Sequence, residues 1–588
     1  MSKREEITKK AKELIKKEGA TVSSIARELG VGWHTINRIL NPEKEAPRSA
    51  PELTEEKTEE TRKYLLDTYF KAIKRLKRYP RTDEFPDIGI AVGSAKHHFG
   101  NLTKYKAAVQ EKYGPQIKEI VMDYDSLFTR TRIEMIEEDV SKYKRFFISS
   151  IVSGKDSHKP FMKAIESYCE KNDAKFIGMV CMDVASTKKK NEWHLDPYFR
   201  DHHIAAEDVR IHKNFLLSNI KVSAKMIKPT TGLARIGQRE GTFVYASPKQ
   251  FLEFTATDET NTHALMTPGA VTVANYDTDK YMSERTSYIA EHDHVLGGLI
   301  VEIDDEDNCH FRQVQAHPDT GSFVDLNVRY FANGGTRKEK CHFIPGDWHS
   351  SATEPMVYKC IKELCHELSI YHIFMHDFFD GFSISHHDHG IPGLKAKRNL
   401  QGYGALDDEF EQGGDDLNAL LEWVQGWVVM VKSNHDEVLD RWLREGRYVN
   451  EPQNYRIGHE MALAALDGYD PLEFAYNHYT TIRGKNRIKW LSRRDSFKIG
   501  GVELGAHGDL GANGSRGSLD SMEKAYGQCV IGHAHSAAIY RGVWRVGTSS
   551  KLQLEYNRGP SSWTHTGCLL REDGSRQLIH FINGRWRA

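Results

Sequence analysis

Between residues 340 and 540 five apolar runs each lead into histidine, aspartate or asparagine. They read "CHFIPGDWHSS", "IYHIFMHDFFDGFS", "WVVMVKSNHDEVLDRW", "GVELGAHGDLGANGS" and "CVIGHAHSAAIYRG". Short apolar runs bounded by turn residues read as buried strands, and a helical stretch, "EPMVYKCIKELCHELS", separates the first two. Strands alternating with helices imply a parallel sheet, which gathers its reactive residues in the loops beyond the strand C-termini. The predicted class is α/β. Residues i and i+2 of a strand point the same way. Asp347 and His349 can therefore face one point, and so can His533 and His535.

No single block is decisive. A lone "GHAH" arises by chance more often than as a site, a lone His507 reads as an ordinary core or surface histidine, and "NHD" can cap the helix that follows it. The five together in order are specific. Their carboxylate, imidazole and amide donors suit Mn²⁺, Fe²⁺ or Zn²⁺.

The ordered set "GDWH", "HDFFD", "SNHD", "AHGD", "GHAH" resembles the calcineurin-like metallophosphoesterase family over roughly residues 340–560. That family's pattern is D-x-H, G-D-x-x-D, G-N-H-D/E, a lone H and G-H-x-H. The resemblance implies a metallophosphoesterase-type α/β sandwich and two divalent metal ions, with Mn²⁺ expected. Asp347, His349 and His535 would hold one ion, Asn434, His507 and His533 the other, and Asp377 would bridge them. His435 would stand beside the substrate as the catalytic acid, with Asp380 and Asp436 orienting the ligands. Two such cations ~3.5–4 Å apart share a water, lower its pKa and steady the phosphoryl oxygens. His376 and Ser433 depart from the pattern, standing where the family has glycine.

The N-terminal third has a different texture. Residues 3–17 read as a helix, and "TVSSIARELGVGWHTINRIL" as helices Val22–Leu29 and Trp33–Leu40 turning at Gly30. This stretch resembles the helix-turn-helix of DNA-binding regulators and recombinases. The resemblance offers Trp33, His34, Asn37 and Arg38 to a DNA groove; a packing hairpin is the alternative. "NPEKEAPRSAPELTEEKTEE" reads as a linker. The segment from "YLLDTYF" through "YPRTDEF" to "FGNLTKYKAAV" is similar to the small helix-turn-helix repeats that accompany homing endonucleases. Lys74, Arg75, Lys77 and Arg78 form a basic stripe in it, either a phosphate contact or a solvated face.

The expected organisation is a helix-turn-helix domain at 1–45, a linker at 46–60, a second helical module at 61–140, an α/β region at 141–339 and the catalytic domain at 340–588. In the α/β region, Asp156-x-His158 and Asp183 copy the layout of Asp347-x-His349 and Asp377. The region reads either as a degenerate duplicate or as a flanking α/β domain, and a homo-oligomer surface there is a further expectation. "SHHDHGIPGLKAKRN" offers His386, His387 and His389 with Lys395, Lys397 and Arg398, as a substrate-facing loop or a solvated one; Arg493 and Arg494 share that ambiguity.

Lys+Arg (81) balances Asp+Glu (82), so overall charge gives no sign of nucleic-acid binding and any basic surface is local. The 8 cysteines include no CxxC pair, so neither a zinc ribbon nor a disulfide scaffold is expected. No apolar h-region opens the chain and no run is long enough to span a membrane, so no signal peptide and no membrane association are expected. The expected place is the cytoplasm, that of a bacterial host if the chain is phage-encoded.

The metal pattern joined to two DNA-binding modules resembles the host-DNA-degrading nucleases of T5-like bacteriophages within the same superfamily. The expected function is a metal-dependent DNase that hydrolyses phosphodiester bonds, with DNA as partner, degrading host DNA during infection. The alternatives are a phosphatase or nucleotide phosphodiesterase recruited to DNA, and a non-catalytic DNA-binding regulator.

Overall fold

The computed structural model describes residues 3–16, 21–31, 33–40, 55–76, 78–80, 82, 84–123, 130–182, 194–236, 241–257, 263–276, 284–385, 391–400, 402, 404–554, 557 and 559–588. The side chains of Trp33, His34, Arg38 and Lys395 lie outside that description, as do Lys77, Asp183, His386, His387 and His389 altogether. Two compact units result: residues 1–76 with 80–117, and residues 77–79 with 118–588.

The first unit is helical. Helices α1 (Lys3–Leu14), α2 (Val22–Glu28) and α3 (Trp33–Leu40) bury Ala11, Ile25, Ala26 and Ile36 against one another. Gly30, at φ +60°, makes the turn between α2 and α3, a conformation that costs glycine little. Asn37 is half-buried on α3. Helices α4 (Glu55–Leu76), α5 (Val92–Phe99) and α6 (Leu102–Ile120) form the second group. There Tyr69 packs on Phe85 and Tyr105, each ring centroid 5.5 Å away, and the Tyr105 hydroxyl donates to the Leu65 carbonyl at 2.6 Å. Residues 55–60, read as linker, instead form the start of α4, whose first turn carries Glu55 and Glu56 where acidic groups favour a helix N-terminus. Lys74 and Arg75 are exposed at its other end.

The second unit is mixed α/β. The strands of its three larger sheets, in chain order, are β1 (Arg145–Val152), β2 (Ala174–Cys181), β3 (His203–Ala205), β4 (Val209–His212), β5 (Phe215–Ser218), β6 (Thr242–Tyr245), β7 (Gln250–Thr255), β8 (His263–Pro268), β9 (Gly297–Ile303) and β10 (Cys309–Gln315). There follow β11 (Cys341–Ile344), β12 (Ile373–Met375), β13 (Val428–Val431), β14 (Ile488–Leu491), β15 (Lys498–Ile499), β16 (Val502–Glu503), β17 (Cys529–Ile531), β18 (Ala538–Tyr540), β19 (Val543–Arg545), β20 (Thr566–Arg571) and β21 (Arg576–His580). Three of the sheets, in spatial order, are β10-β9-β1-β2-β3, β14-β13-β12-β11-β20-β21, and a ten-stranded sheet β15-β16-β17-β19-β18-β7-β8-β6-β5-β4.

The ten-stranded sheet runs through the expected boundary at 339/340. Its middle pair is β7 against β18, antiparallel, with Leu252 opposite Ile539. The 141–339 region is therefore part of the same folded unit as the C-terminal residues. Each side of that seam has the same plan. From edge to seam, β15-β16-β17-β19-β18 pair antiparallel, parallel, parallel, antiparallel, and so do β4-β5-β6-β8-β7. The other two sheets also match: a parallel group, β1-β2-β3 or β11-β12-β13-β14, flanked by an antiparallel hairpin, β9-β10 or β20-β21.

Alternation along the strands sets the layers. In β12 and β13, Phe374, Val429 and Val431 face a core shared with Val530, Ile539 and Trp544 of the ten-stranded sheet. Ile373, Met375, Val428 and Met430 face the opposite way, onto helices α7 (Pro355–Leu368) and α8 (Leu406–Trp423). Among the described residues no helix is long and apolar enough to cross a membrane, and all eight cysteines are free thiols.

Candidate metal centre

Strands β11, β12 and β13 are parallel, so their C-terminal ends share one edge, as do those of parallel β16 and β17 in the facing sheet. The loops leaving these edges carry the polar residues inward. Four of them need a left-handed backbone: His349 (φ 53°), Asp377 (φ 44°), His533 (φ 77°) and His535 (φ 57°). Non-glycine residues adopt this region at a cost, and such positions cluster at functional sites.

Asp347, His349, Asp377, Asn434, His507, His533 and His535 meet there. On one side His349 Nε2 lies 3.1 Å from His535 Nε2 and 3.8 Å from Asp377 Oδ2, while His535 Nε2 lies 3.2 Å from Asp347 Oδ2. On the other, His507 Nε2 lies 3.1 Å from Asn434 Oδ1 and 3.3 Å from Asp377 Oδ1, and His533 Nδ1 lies 3.0 Å from Asn434 Oδ1. Asp377 stands between the two groups.

These residues can hold metal. Among the described residues Asp347 Oδ1 is buried with no hydrogen-bond partner, and Asp377 Oδ1 is buried with no well-aligned hydrogen bond beside its ion-pair contact with His507. Buried carboxylate oxygens without donors are costly unless something positive satisfies them. His349, Asp377 and His535, and separately Asp347, Asp377 and His507, bring one ligand atom each within 4.8 Å of one another. His349, Asp380 and His435 form a third such group.

Charge at the site follows from the carboxylates. Burial alone would lower the His349 pKa; the hydrogen bond and charge of Asp380, with Asp377 and Asp347, outweigh it and raise it to about 9. Burial likewise opposes charge on His507, and Asp377 overrides it, again to about 9. Burial works against the ionised Asp377, but His507 and His435 hold its pKa well below the usual carboxylate range.

The surrounding residues fix these groups. Asp380 accepts from His349 Nδ1 and from the Ser351 amide, each at 2.8 Å. Asp436 accepts from the Ser433 amide at 2.8 Å, while its own amide donates to Ser433 Oγ at 3.2 Å. This reciprocal pair holds the turn carrying Asn434, so the serine in place of a glycine does work there. Among the described residues Asp436 makes no hydrogen bond to a ligand side chain. Burial, then the charge of Asp377, raise its pKa to about 7. His435 lies edge-to-face on His349, centroids 4.8 Å apart, its buried Nδ1 has no partner among the described residues, and burial lowers its pKa.

Further contributors are Trp563 and Asp416, which lie outside the five blocks, and Gly532, which lies inside the last. The Trp563 ring packs edge-on against His535 at 4.2 Å. Asp416 accepts from Trp348 Nε1 at 2.8 Å and from the Ser350 hydroxyl, behind the first loop. Gly532 lies so close to Asp347 that an added Cβ would stand 2.0 Å from its Oδ1. Glycine before the first histidine of "GHAH" was the available hint.

Other expected residues lie elsewhere. Arg493 makes a two-pronged ion pair with Asp509, at 2.7 and 2.9 Å, and a third bond to Glu437, so it braces the fold. Arg398 donates to the Phe382 carbonyl at 2.7 Å. Asp156-x-His158 does not copy the site: Asp156 is exposed, and His158 caps the helix Lys159–Lys171 by accepting from the Phe161 amide. The position equivalent to Asp347 is Ser150. Asp347 exchanges backbone bonds with Gly547 and Ser549 at 3.1 and 2.8 Å, and Ser150 does so with Gly269 and Val271 at 3.0 and 2.9 Å.

Over 482 residues the chain is 28% identical to Protein A1 of Escherichia phage T5, covering 76% of this chain and 84% of that protein. No family model and no solved structure matches the chain. The chain is thus similar to a protein of a T5 phage across most of both lengths.

Proposed function

We propose that the chain is a metal-dependent DNase of the metallophosphoesterase type, acting on host DNA during phage infection. The observation that carries the hydrolytic reading is the meeting of seven side chains of metal-binding type from five separate loops around two buried carboxylate oxygens that lack a well-aligned hydrogen bond among the described residues. Asp347, His349 and His535 would hold one divalent ion, Asn434, His507 and His533 the other, and Asp377 both; Mn²⁺ fits this donor set. Bound there, such ions supply an activated water and neutralise charge on the phosphoryl oxygens. His435 stands beside this cluster and donates a proton to the departing oxygen. Its lowered pKa makes it the stronger acid once protonated. Asp380 keeps His349 Nε2 directed inward.

DNA as substrate is supported by the compact α1–α3 cluster with its glycine turn. Such a unit holds duplex DNA largely through phosphates, and tethering it to the catalytic unit raises the local DNA concentration. The similarity to a T5 phage protein supports the setting.

The test incubates the full chain and Mn²⁺ with plasmid DNA and, separately, with p-nitrophenyl phosphate, each with and without EDTA. EDTA-sensitive loss of the plasmid is expected. Turnover of the small ester with an intact plasmid would overturn the nuclease reading. No turnover of either with any divalent metal would overturn the enzyme.

A further inference from the structure

His376 precedes Asp377 in "MHDFFD", and the proposed function gives it no role. It is fully buried. Its Nδ1 lies 3.4 Å from His507 Nδ1, and the two rings stack at 5.5 Å with a 30° tilt. His507 Nε2 faces the opposite way, toward Asn434 Oδ1 and Asp377 Oδ1. His507 thus has one nitrogen in the site and one on His376.

Two imidazole nitrogens at this distance need one proton between them, since two lone pairs or two N–H groups repel. A histidine that binds metal through Nε2 must carry its proton on Nδ1, and the bond made by the second nitrogen decides which form is present. We infer that His376 is a positioning residue for the metal centre: its Nδ1 accepts the His507 Nδ1 proton and so leaves the His507 Nε2 lone pair facing the ion. This rests on the metal-site reading above. His376 Nε2 then carries the other proton, and it is buried with no partner among the described residues. An unpaired buried N–H is a cost, which the hydrogen bond to His507 has to offset. The backbone of His376 adds to the placement, because its carbonyl accepts from the Trp348 amide at 2.9 Å, between the two residues of Asp347-x-His349.

The test compares three substitutions in the full chain. Asparagine places an acceptor oxygen near the Nδ1 position, glutamine places its oxygen near the Nε2 position, and phenylalanine fills the space with no acceptor. Mn²⁺ stoichiometry and affinity are read by competition with a chromophoric chelator, with near-UV circular dichroism to confirm the fold. In His376→Phe and His376→Gln one of the two ions should bind about 10–100-fold more weakly, the usual effect of losing such a partner. His376→Asn should stay within a few-fold of the parent. If the phenylalanine chain does not fold, the asparagine–glutamine pair decides. Parent-like binding in both His376→Phe and His376→Gln, or equal loss in all three, overturns the inference and leaves the metal site standing. A parent protein that binds no divalent ion overturns both.

Discussion

His349 and His535 point their Nε2 atoms at each other across 3.1 Å. With the His349 Nδ1 proton committed to Asp380, only a proton or a cation reconciles these two nitrogens. In the metal-free protein a proton serves, since the carboxylates raise the His349 pKa to about 9 and that of His507 to about 9. Metal must displace those protons. Titration with Mn²⁺ at pH 7.5 should therefore release about two protons per chain. Calorimetry in two buffers of different ionisation enthalpy measures it, and zero release would mean that the ions bind elsewhere.

Asp377 lies 3.3 Å from His507 and 3.8 Å from His349, through different oxygens. Asp377→Ala should remove both ions and reduce turnover to background. Metal analysis of the purified variant beside a DNA-cleavage assay checks this. Retained activity would take Asp377 out of the site.

Gly532 tests the packing behind the same carboxylate. A methyl group there would stand 2.0 Å from Asp347 Oδ1, while the neighbouring His533 amide donates to Asp347 Oδ2 at 2.7 Å. Gly532→Ala should lower stability by about 1–3 kcal/mol, as overpacking does, and weaken metal binding. Gly393→Ala is the control, because among the described residues nothing lies within 4 Å of its added Cβ. Equal melting temperatures for the two variants would refute the clash.

The five site loops were legible because each pairs an apolar run with a polar tip, and strand direction converts that pattern into convergence. The seam was not. β18 is three residues long, too short to show a period, and its pairing with β7 joins positions 252 and 539. In the first half the difficulty is different, because a D-x-H spacing alone does not say where the strand before it ends. "KDSH" looked like the D-x-H block, whereas the backbone bonds put Ser150 at the place of Asp347, inside a strand with no carboxylate. The strand order of residues 141–339 repeats that of the C-terminal half. His376 was visible only as a departure from glycine; its contact with a residue 131 positions away needed coordinates.

Glu409 is buried behind the Asp380 loop, where it accepts from the Ser383 amide at 3.0 Å and pairs with its hydroxyl at 3.1 Å. Burial, then the charge of Asp380, raise its pKa from 4.5 to about 8. The folded state therefore holds this proton more tightly than the unfolded chain, and Glu409 loses stabilising effect as pH rises from 4.5 to about 8. Glu409→Gln keeps an acceptor and removes the titration. The melting temperature of the variant relative to the parent should climb across that window and level off above it. A difference that does not change with pH would show that Glu409 titrates normally.

His435 separates binding from turnover. Its ring packs on His349 with centroids 4.8 Å apart, yet its Nδ1 has no partner among the described residues. If it delivers the proton to the departing oxygen, His435→Ala should keep both Mn²⁺ ions and cut DNA cleavage by roughly 10²–10⁴-fold, the range for a lost general acid. The loss should shrink for a substrate with a p-nitrophenolate leaving group, which departs without a proton. The proximity of His435 to His349 and Asp380 makes the competing outcome specific: loss of one ion in the variant would place His435 among the ligands, and the acid would have to be sought elsewhere.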